Sequence, residues 1–241
     1  MRPGILVGVG VGPGDAEMVT LQAVRAIRHA DRVLAPSLAL DAVGRAESIV
    51  RQVAPGVPVE RLVFDMSVAA GDRDASHRAA AAAVVDFLDA GEEVAFATLG
   101  DPNIYSTFSS LATAVCRTRP ATRLRTVAGI MAFQDLASRT ATVLLDGTER
   151  LQLVTALNGA EPVAAALADD HQTVVVYKGG RHLPAILKAL ADAGRLDDAV
   201  IGELLGLPGQ RVLPARDWPN QPASYLATVI VPPAGRAGST T

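Results

Sequence analysis

Val94-Ala95-Phe96-Ala97-Thr98-Leu99-Gly100-Asp101-Pro102-Asn103-Ile104-Tyr105-Ser106-Thr107-Phe108 reads as a strand, a tight turn and the start of a helix. Val94 to Thr98 carry no charge and fit a short interior strand. Leu99-Gly100-Asp101-Pro102 is turn chemistry. Gly100 allows close approach of backbone or ligand, Asp101 can accept from nearby N–H groups, and Pro102 suits the first turn of a helix, expected from about Asn103 to Arg117. A strand that ends this way exposes backbone donors and acceptors at the carboxyl edge of an α/β sheet, where open sheets bind small molecules. An ordinary strand-to-helix connection would read the same way.

Outward from this stretch, strands and helices alternate. Ile5–Val9 is a strand, followed by Gly10-Val11-Gly12-Pro13-Gly14-Asp15 and a helix from about Glu17 to Ala30. Short strands are expected at 32–35 and 59–64, with a loop and helix between them. An Ala-rich helix should run from Asp72 to Ala90, closed by Gly91. Past the opening stretch come a strand at 124–127 and a short helix at 133–138. A break near Asp146-Gly147-Thr148 suggests two lobes, residues 1–147 and 148–233, with a small-residue tail at 234–241. In the second lobe, strands are expected at 151–155, 173–177, 199–204, 211–213 and 227–231, with helices at 162–168 and 183–193. The fold class is α/β, with a cleft between the lobes.

Composition narrows the function. The 241 residues are 49% apolar and only 4% aromatic, so the core is Ala, Val and Leu. A net charge of −3 argues against non-specific nucleic-acid binding. All basic residues except Lys178 and Lys188 are Arg, which suits a carboxylate-bearing ligand but also follows from Arg-rich codon usage. Cys116 is the single cysteine, so no intrachain disulfide is possible, and the four His lack metal-ligand spacing. Met1-Arg2-Pro3 leads straight into a strand pattern, and no apolar run approaches the ~20 residues of a membrane span. A cytoplasmic protein with no signal peptide, no membrane segment and no metal is expected.

Gly10-x-Gly12-x-Gly14 invites a dinucleotide reading, but Asp15 stands where that motif needs Gly or Ala, and its charge would repel a pyrophosphate. The signatures of P-loop, zinc-protease and serine-hydrolase chemistry are absent. Three turns remain, Gly12–Asp15, Gly100–Pro102 and Ala128-Gly129-Ile130-Met131-Ala132, all expected at one sheet edge.

Gly8-Val9-Gly10-Val11-Gly12-Pro13-Gly14-Asp15 with Thr20-Leu21-Gln22-Ala23 resembles the opening signature of the tetrapyrrole (corrin/porphyrin) methyltransferases. Leu99-Gly100-Asp101-Pro102 resembles their second motif, and its Tyr105-Ser106-Thr107 extension is similar to the precorrin-2 C-20 branch of cobalamin biosynthesis. Thr126-Val127-Ala128-Gly129-Ile130-Met131-Ala132-Phe133-Gln134 is similar to that branch's third motif, and Phe64-Asp65-Met66 also fits it. The resemblance spans nearly the whole chain in motif order.

It implies a two-lobed α/β fold, each lobe a mixed sheet flanked by helices, and a homodimer. It also implies S-adenosyl-L-methionine as cofactor in the cleft, with S-adenosyl-L-homocysteine as product, and precorrin-2 as substrate, methylated at C-20 to precorrin-3A. Carried across by position, cofactor contacts would be Pro13, Leu99, Gly100, Asp101, Ile104, Met131, Ala132, Tyr177 and Lys178. Asp101 and Tyr105 would be the titratable groups nearest the chemistry, with Asp101 also suited to shaping its turn. Arg73, Arg78, Arg139, Lys178, Arg181 and Arg211 are candidates for a basic rim. The chain departs from the family pattern at Ala128, at Met131-Ala132, and at Glu203-Leu204-Leu205-Gly206-Leu207-Pro208-Gly209-Gln210-Arg211, where relatives carry Arg-Gly-Thr. A cobalt-loaded substrate, another corrin ring position, or a non-catalytic binding relative are the alternatives.

Overall fold

The computed structural model describes residues 3–64 and 70–236, and the side chains of these except 70–74. Asp65, Met66, the side chain of Arg73 and the end of the tail lie outside the described residues. Contacts group the chain into two units, Met1–Met131 and Ala132–Thr241. The division falls earlier than the expected one after Gly147.

The first unit holds β1 (Ile5–Gly10), α1 (Leu21–His29), β2 (Arg32–Ser37), α2 (Arg45–Val53), β3 (Val59–Val63), α3 (Ala70–Asp89), β4 (Glu93–Thr98), α4 (Thr107–Thr118) and β5 (Arg123–Val127). The strands lie in the order β3-β2-β4-β1-β5, and every pairing is parallel. Helical crossovers between successive strands allow that arrangement and cover both faces of the sheet. On one face Val7, Val9, Val33, Ala35, Ala95 and Ala97 pack under Ala23 and Ile27 of α1 and Ile49 and Val50 of α2. On the other, Leu6, Leu34, Val94 and Phe96 meet Val84 and Leu88 of α3 and Phe108, Leu111 and Val115 of α4. Gly8 interrupts β1 for a steric reason: a Cβ there would stand 2.6 Å from the Phe108 ring.

Two helices start later than the residue pattern suggests. The segment expected as one helix from Glu17 is a 3-10 turn at Ala16–Met18, then extended Val19, then α1. Thr20 resets the chain by accepting from Ala23 N–H at 3.1 Å. Pro102 does not open α4, because Ser106 is the cap and Tyr105 before it has φ +49°.

The second unit holds α5 (Ala132–Arg139), β6 (Arg150–Thr155), α6 (Glu161–Ala166), β7 (Gln172–Tyr177), α7 (Leu183–Asp192), β8 (Val200–Glu203), β9 (Arg211–Pro214) and β10 (Thr228–Val231). Its sheet runs β6-β7-β10-β8-β9, with β6 and β7 parallel and the other pairs antiparallel. Mixed strand direction is therefore confined to this sheet. α6 and α7 cover one face through Val163, Ile186 and Leu190. α5 packs against β10, and a Cβ on Gly202 would stand 2.9 Å from Leu136. That packing places α5 in this unit. Among the described residues, no helix is long and apolar enough to cross a membrane.

Candidate functional site

In the first sheet β4, β1 and β5 are adjacent and parallel, so the loops after them leave from one edge side by side. These are the three turns that the sequence singles out. Backbone bonds tie the first two together. Val11 N–H donates to Thr98 O at 2.9 Å, and Gly100 N–H donates to Gly12 O at 2.8 Å. Gly12 and Gly100 adopt φ of +76° and +65°, a region that L side chains rarely occupy.

The third loop joins through glycines. A Cβ on Gly10 would lie 2.5 Å from Gly100 O and 2.7 Å from Gly129 Cα. A Cβ on Gly129 would lie 2.1 Å from Gly100 O. Three peptide segments thus touch at a point where no side chain fits. The sequence places Gly10 in the Gly8–Asp15 stretch without giving it a role of its own; its steric role follows from neighbours that sequence spacing does not reveal.

Asp101, 9% exposed, staples the assembly. Its Oδ1 accepts from Asn103 N–H at 2.8 Å and its Oδ2 from Gly129 N–H at 3.1 Å. Its own N–H donates to Met131 Sδ at 3.2 Å. The carboxylate therefore holds its own turn and clamps the β4 loop to the β5 loop. Pro13 and Met131 are buried, and Leu99 and Ile104 half-buried. Tyr105 is half-exposed. Ser106 Oγ and Ser109 Oγ both donate to Pro102 O, at 2.6 and 2.9 Å, fixing the turn behind Tyr105. Asn103 Nδ2 donates to Thr126 Oγ1 at 3.3 Å, a second tie to β5.

The remaining candidates lie in the second unit. Ala132 opens α5. Tyr177 ends β7, and its Oη accepts from Phe133 N–H at 3.1 Å. The Phe133 and Tyr177 rings meet edge-on at 6.5 Å. Burial pushes the Tyr177 phenol's pKa well up, and the Phe133 N–H opposes this in part. Lys178 has φ +59°, with its Nζ 5.8 Å from the centre of the Tyr225 ring. In the divergent loop, Glu203 accepts from Arg211 Nη2 at 2.8 Å, and the Arg211 guanidinium stacks 4.3 Å over Trp218. Of the expected basic rim, Arg139 pairs with Asp135 and Arg211 with Glu203.

The three loops contain no Lys or Arg from Gly10 to Thr20, from Leu99 to Phe108 or from Val127 to Phe133, but they carry Asp15, Glu17 and Asp101. The loops thus present peptide edges and the apolar side chains of Leu99, Ile104 and Met131, and the Asp101 carboxylate is taken up by loop N–H groups.

A family profile described as "Tetrapyrrole (Corrin/Porphyrin) Methylases" matches residues 5–216. The chain is 35% identical over 246 residues to cobalamin biosynthesis protein CobIJ of Mycobacterium tuberculosis, covering 95% of this chain but 46% of that protein, so it spans about half that relative's length. It is 30% identical to precorrin-2 C(20)-methyltransferase of a Sinorhizobium species, covering 95% of each. It is 28% identical to cobalt-precorrin-2 C(20)-methyltransferase of Salmonella typhimurium, covering 95% of this chain and 96% of that one. Among solved structures, the methyltransferase CobJ superposes with a TM-score of 0.69 at 20% identity over 96% of this chain and 95% of the other. A profile spanning both units and a shared fold lead to one conclusion: the chain belongs to the tetrapyrrole (corrin/porphyrin) methylase family.

Proposed function

We propose that this chain transfers a methyl group from S-adenosylmethionine to C-20 of precorrin-2, in cobalamin biosynthesis. The observation that carries the reading is the junction of the Gly10, Gly100 and Gly129 loops, clamped by Asp101 and free of basic side chains. Two relatives of matching length, named for C-20 methylation, support the position on the ring. So does the Tyr105-Ser106-Thr107 extension. The name of the Salmonella relative makes a cobalt-loaded ring the second reading. Homodimerisation and a cytoplasmic location belong to the same proposal.

Bound at these loops, S-adenosylmethionine supplies a methyl group already activated by its sulfonium, so the protein needs no nucleophile of its own. The chain's task is orientation. Holding reacting atoms in line at ~3–3.5 Å can account for roughly 7–11 kcal/mol of a barrier. The glycine junction holds the three loops in mutual backbone contact and so fixes the peptide edges they present. Asp101 is a positioning residue, since both its oxygens hold loop N–H groups. Pro13, Leu99, Ile104 and Met131 supply apolar walls. In the second unit Ala132, Tyr177 and Lys178 are proposed as further contacts. Tyr105 Oη is the proposed group for handling the proton that the acceptor carbon loses.

Incubation with precorrin-2 and S-adenosylmethionine tests this. A product heavier by one methyl group, formed together with S-adenosylhomocysteine, is expected. Binding of both ligands without any mass gain would instead identify a non-catalytic relative.

A further inference from the structure

The loop after β2 has its polar groups turned inward and its large apolar side chains turned out. Ser37 Oγ lies 2.7 and 2.6 Å from the carbonyl oxygens of Ala39 and Ala42 and can donate to either. Arg61 Nη1 donates to Leu40 O at 2.6 Å. Arg61 is itself gripped by the fully buried Glu47, through Nε–Oε2 at 2.6 Å and Nη2–Oε1 at 2.9 Å. Gly44 closes the loop where a Cβ would stand 2.3 Å from Pro36 O. On this fixed backbone Leu38 is 71% exposed, Leu40 73% and Val43 54%.

β2 is parallel to β4 and next to it, so this loop leaves the same sheet edge as the Asp101 turn, about 4.8 Å along it. Tyr105 is exposed on that edge too. Large aliphatic groups held in water by an ordered loop contribute nothing to folding, and a contiguous set of them marks a contact surface. A conjugated macrocycle has broad apolar faces and carries its carboxylates at the periphery. The strip matches that pattern. The Arg61 charge is supported chiefly by Glu47 and also by Asp41, while Arg45 stands exposed beside Val43 at the start of α2.

We infer that Leu38, Leu40 and Val43 form a preformed apolar shelf for one face of the tetrapyrrole acceptor, with Arg45 meeting one peripheral carboxylate. This rests on the methyltransferase reading. The test compares the parent chain with the double variant Leu38→Ser/Leu40→Ser, with Arg45→Gln, and with the control Leu157→Ser, an exposed site in the second unit. It measures KM for precorrin-2, affinity for uroporphyrin III as a stable tetrapyrrole probe, calorimetric affinity for S-adenosylhomocysteine, and mass by sedimentation.

In the double variant, KM and probe dissociation constant should rise roughly tenfold to a hundredfold. S-adenosylhomocysteine affinity and melting temperature should match the parent, and Arg45→Gln should weaken both tetrapyrroles alone. Tetrapyrrole affinities equal to the parent's would overturn the shelf. A changed assembly mass with unchanged KM would assign the strip to a second copy of the chain and overturn it as well. A parent that binds S-adenosylhomocysteine but no tetrapyrrole would overturn the acceptor reading itself, and the shelf with it.

Discussion

Asp101 and Gly129 do the positioning at the residue scale, one by charge and one by the absence of a side chain. Asp101→Asn keeps the size but sets an amide where two N–H groups need acceptors. One of the Asn103 and Gly129 donors then loses its partner, at a cost of about 1–3 kcal/mol. Chemical denaturation should show that modest loss, with turnover falling further because the β4 and β5 loops are no longer clamped together. Gly129→Ala places a Cβ 2.1 Å from Gly100 O, backbone against backbone, so the loops must part. Binding of S-adenosylhomocysteine should be lost while the chain keeps its circular-dichroism signal. Tyr105→Phe removes only the hydroxyl, so kcat should fall with cofactor affinity unchanged. An unchanged kcat would remove Tyr105 from the proton's path.

At the scale of elements, α2, β3 and the loop after β2 are joined around the buried Glu47 carboxylate. Arg61 and Arg51 hold the Glu47 carboxyl below the usual carboxylate range, against the opposing effect of burial. A carboxylate whose folded pKa is depressed contributes stability above its unfolded pKa, about 4.3, and loses it as pH falls through the lower folded value. Glu47→Gln should therefore destabilise the chain at neutral pH by about 3 kcal/mol and flatten the acid limb of the stability curve. Thermal melts from pH 3 to 7 check both effects. The carboxyl turn after each strand was legible because Gly, Pro and Asp punctuate it. The starts of α1 and α4 were not. Thr20 and Ser106 compete with earlier helical positions through hydrogen bonds that only the folded backbone defines, and the positive φ of Tyr105 leaves no mark in composition.

For the whole molecule, alternating strands and helices made the α/β class readable, and motif order carried the family. Periodicity names segments but not neighbours, so the order β3-β2-β4-β1-β5 and the junction of Gly10, Gly100 and Gly129 emerge only in three dimensions. The first unit ends at Met131, and α5, which follows the third motif directly, belongs to the second because its Leu136 packs on Gly202 there. A ligand that binds only the folded chain stabilises it by about 2.7 kcal/mol at a hundred times its dissociation constant. For a chain of this size, S-adenosylhomocysteine should then raise the melting temperature by roughly 5–10 °C.

Calorimetric titration of S-adenosylhomocysteine into the parent chain, Asp101→Asn and Gly129→Ala is the most direct measurement. The parent should bind one molecule per chain, Asp101→Asn more weakly and Gly129→Ala not at all, with both variants still folded. Equal binding by all three, or none by the parent, would contradict the glycine junction as the seat of the methyl donor.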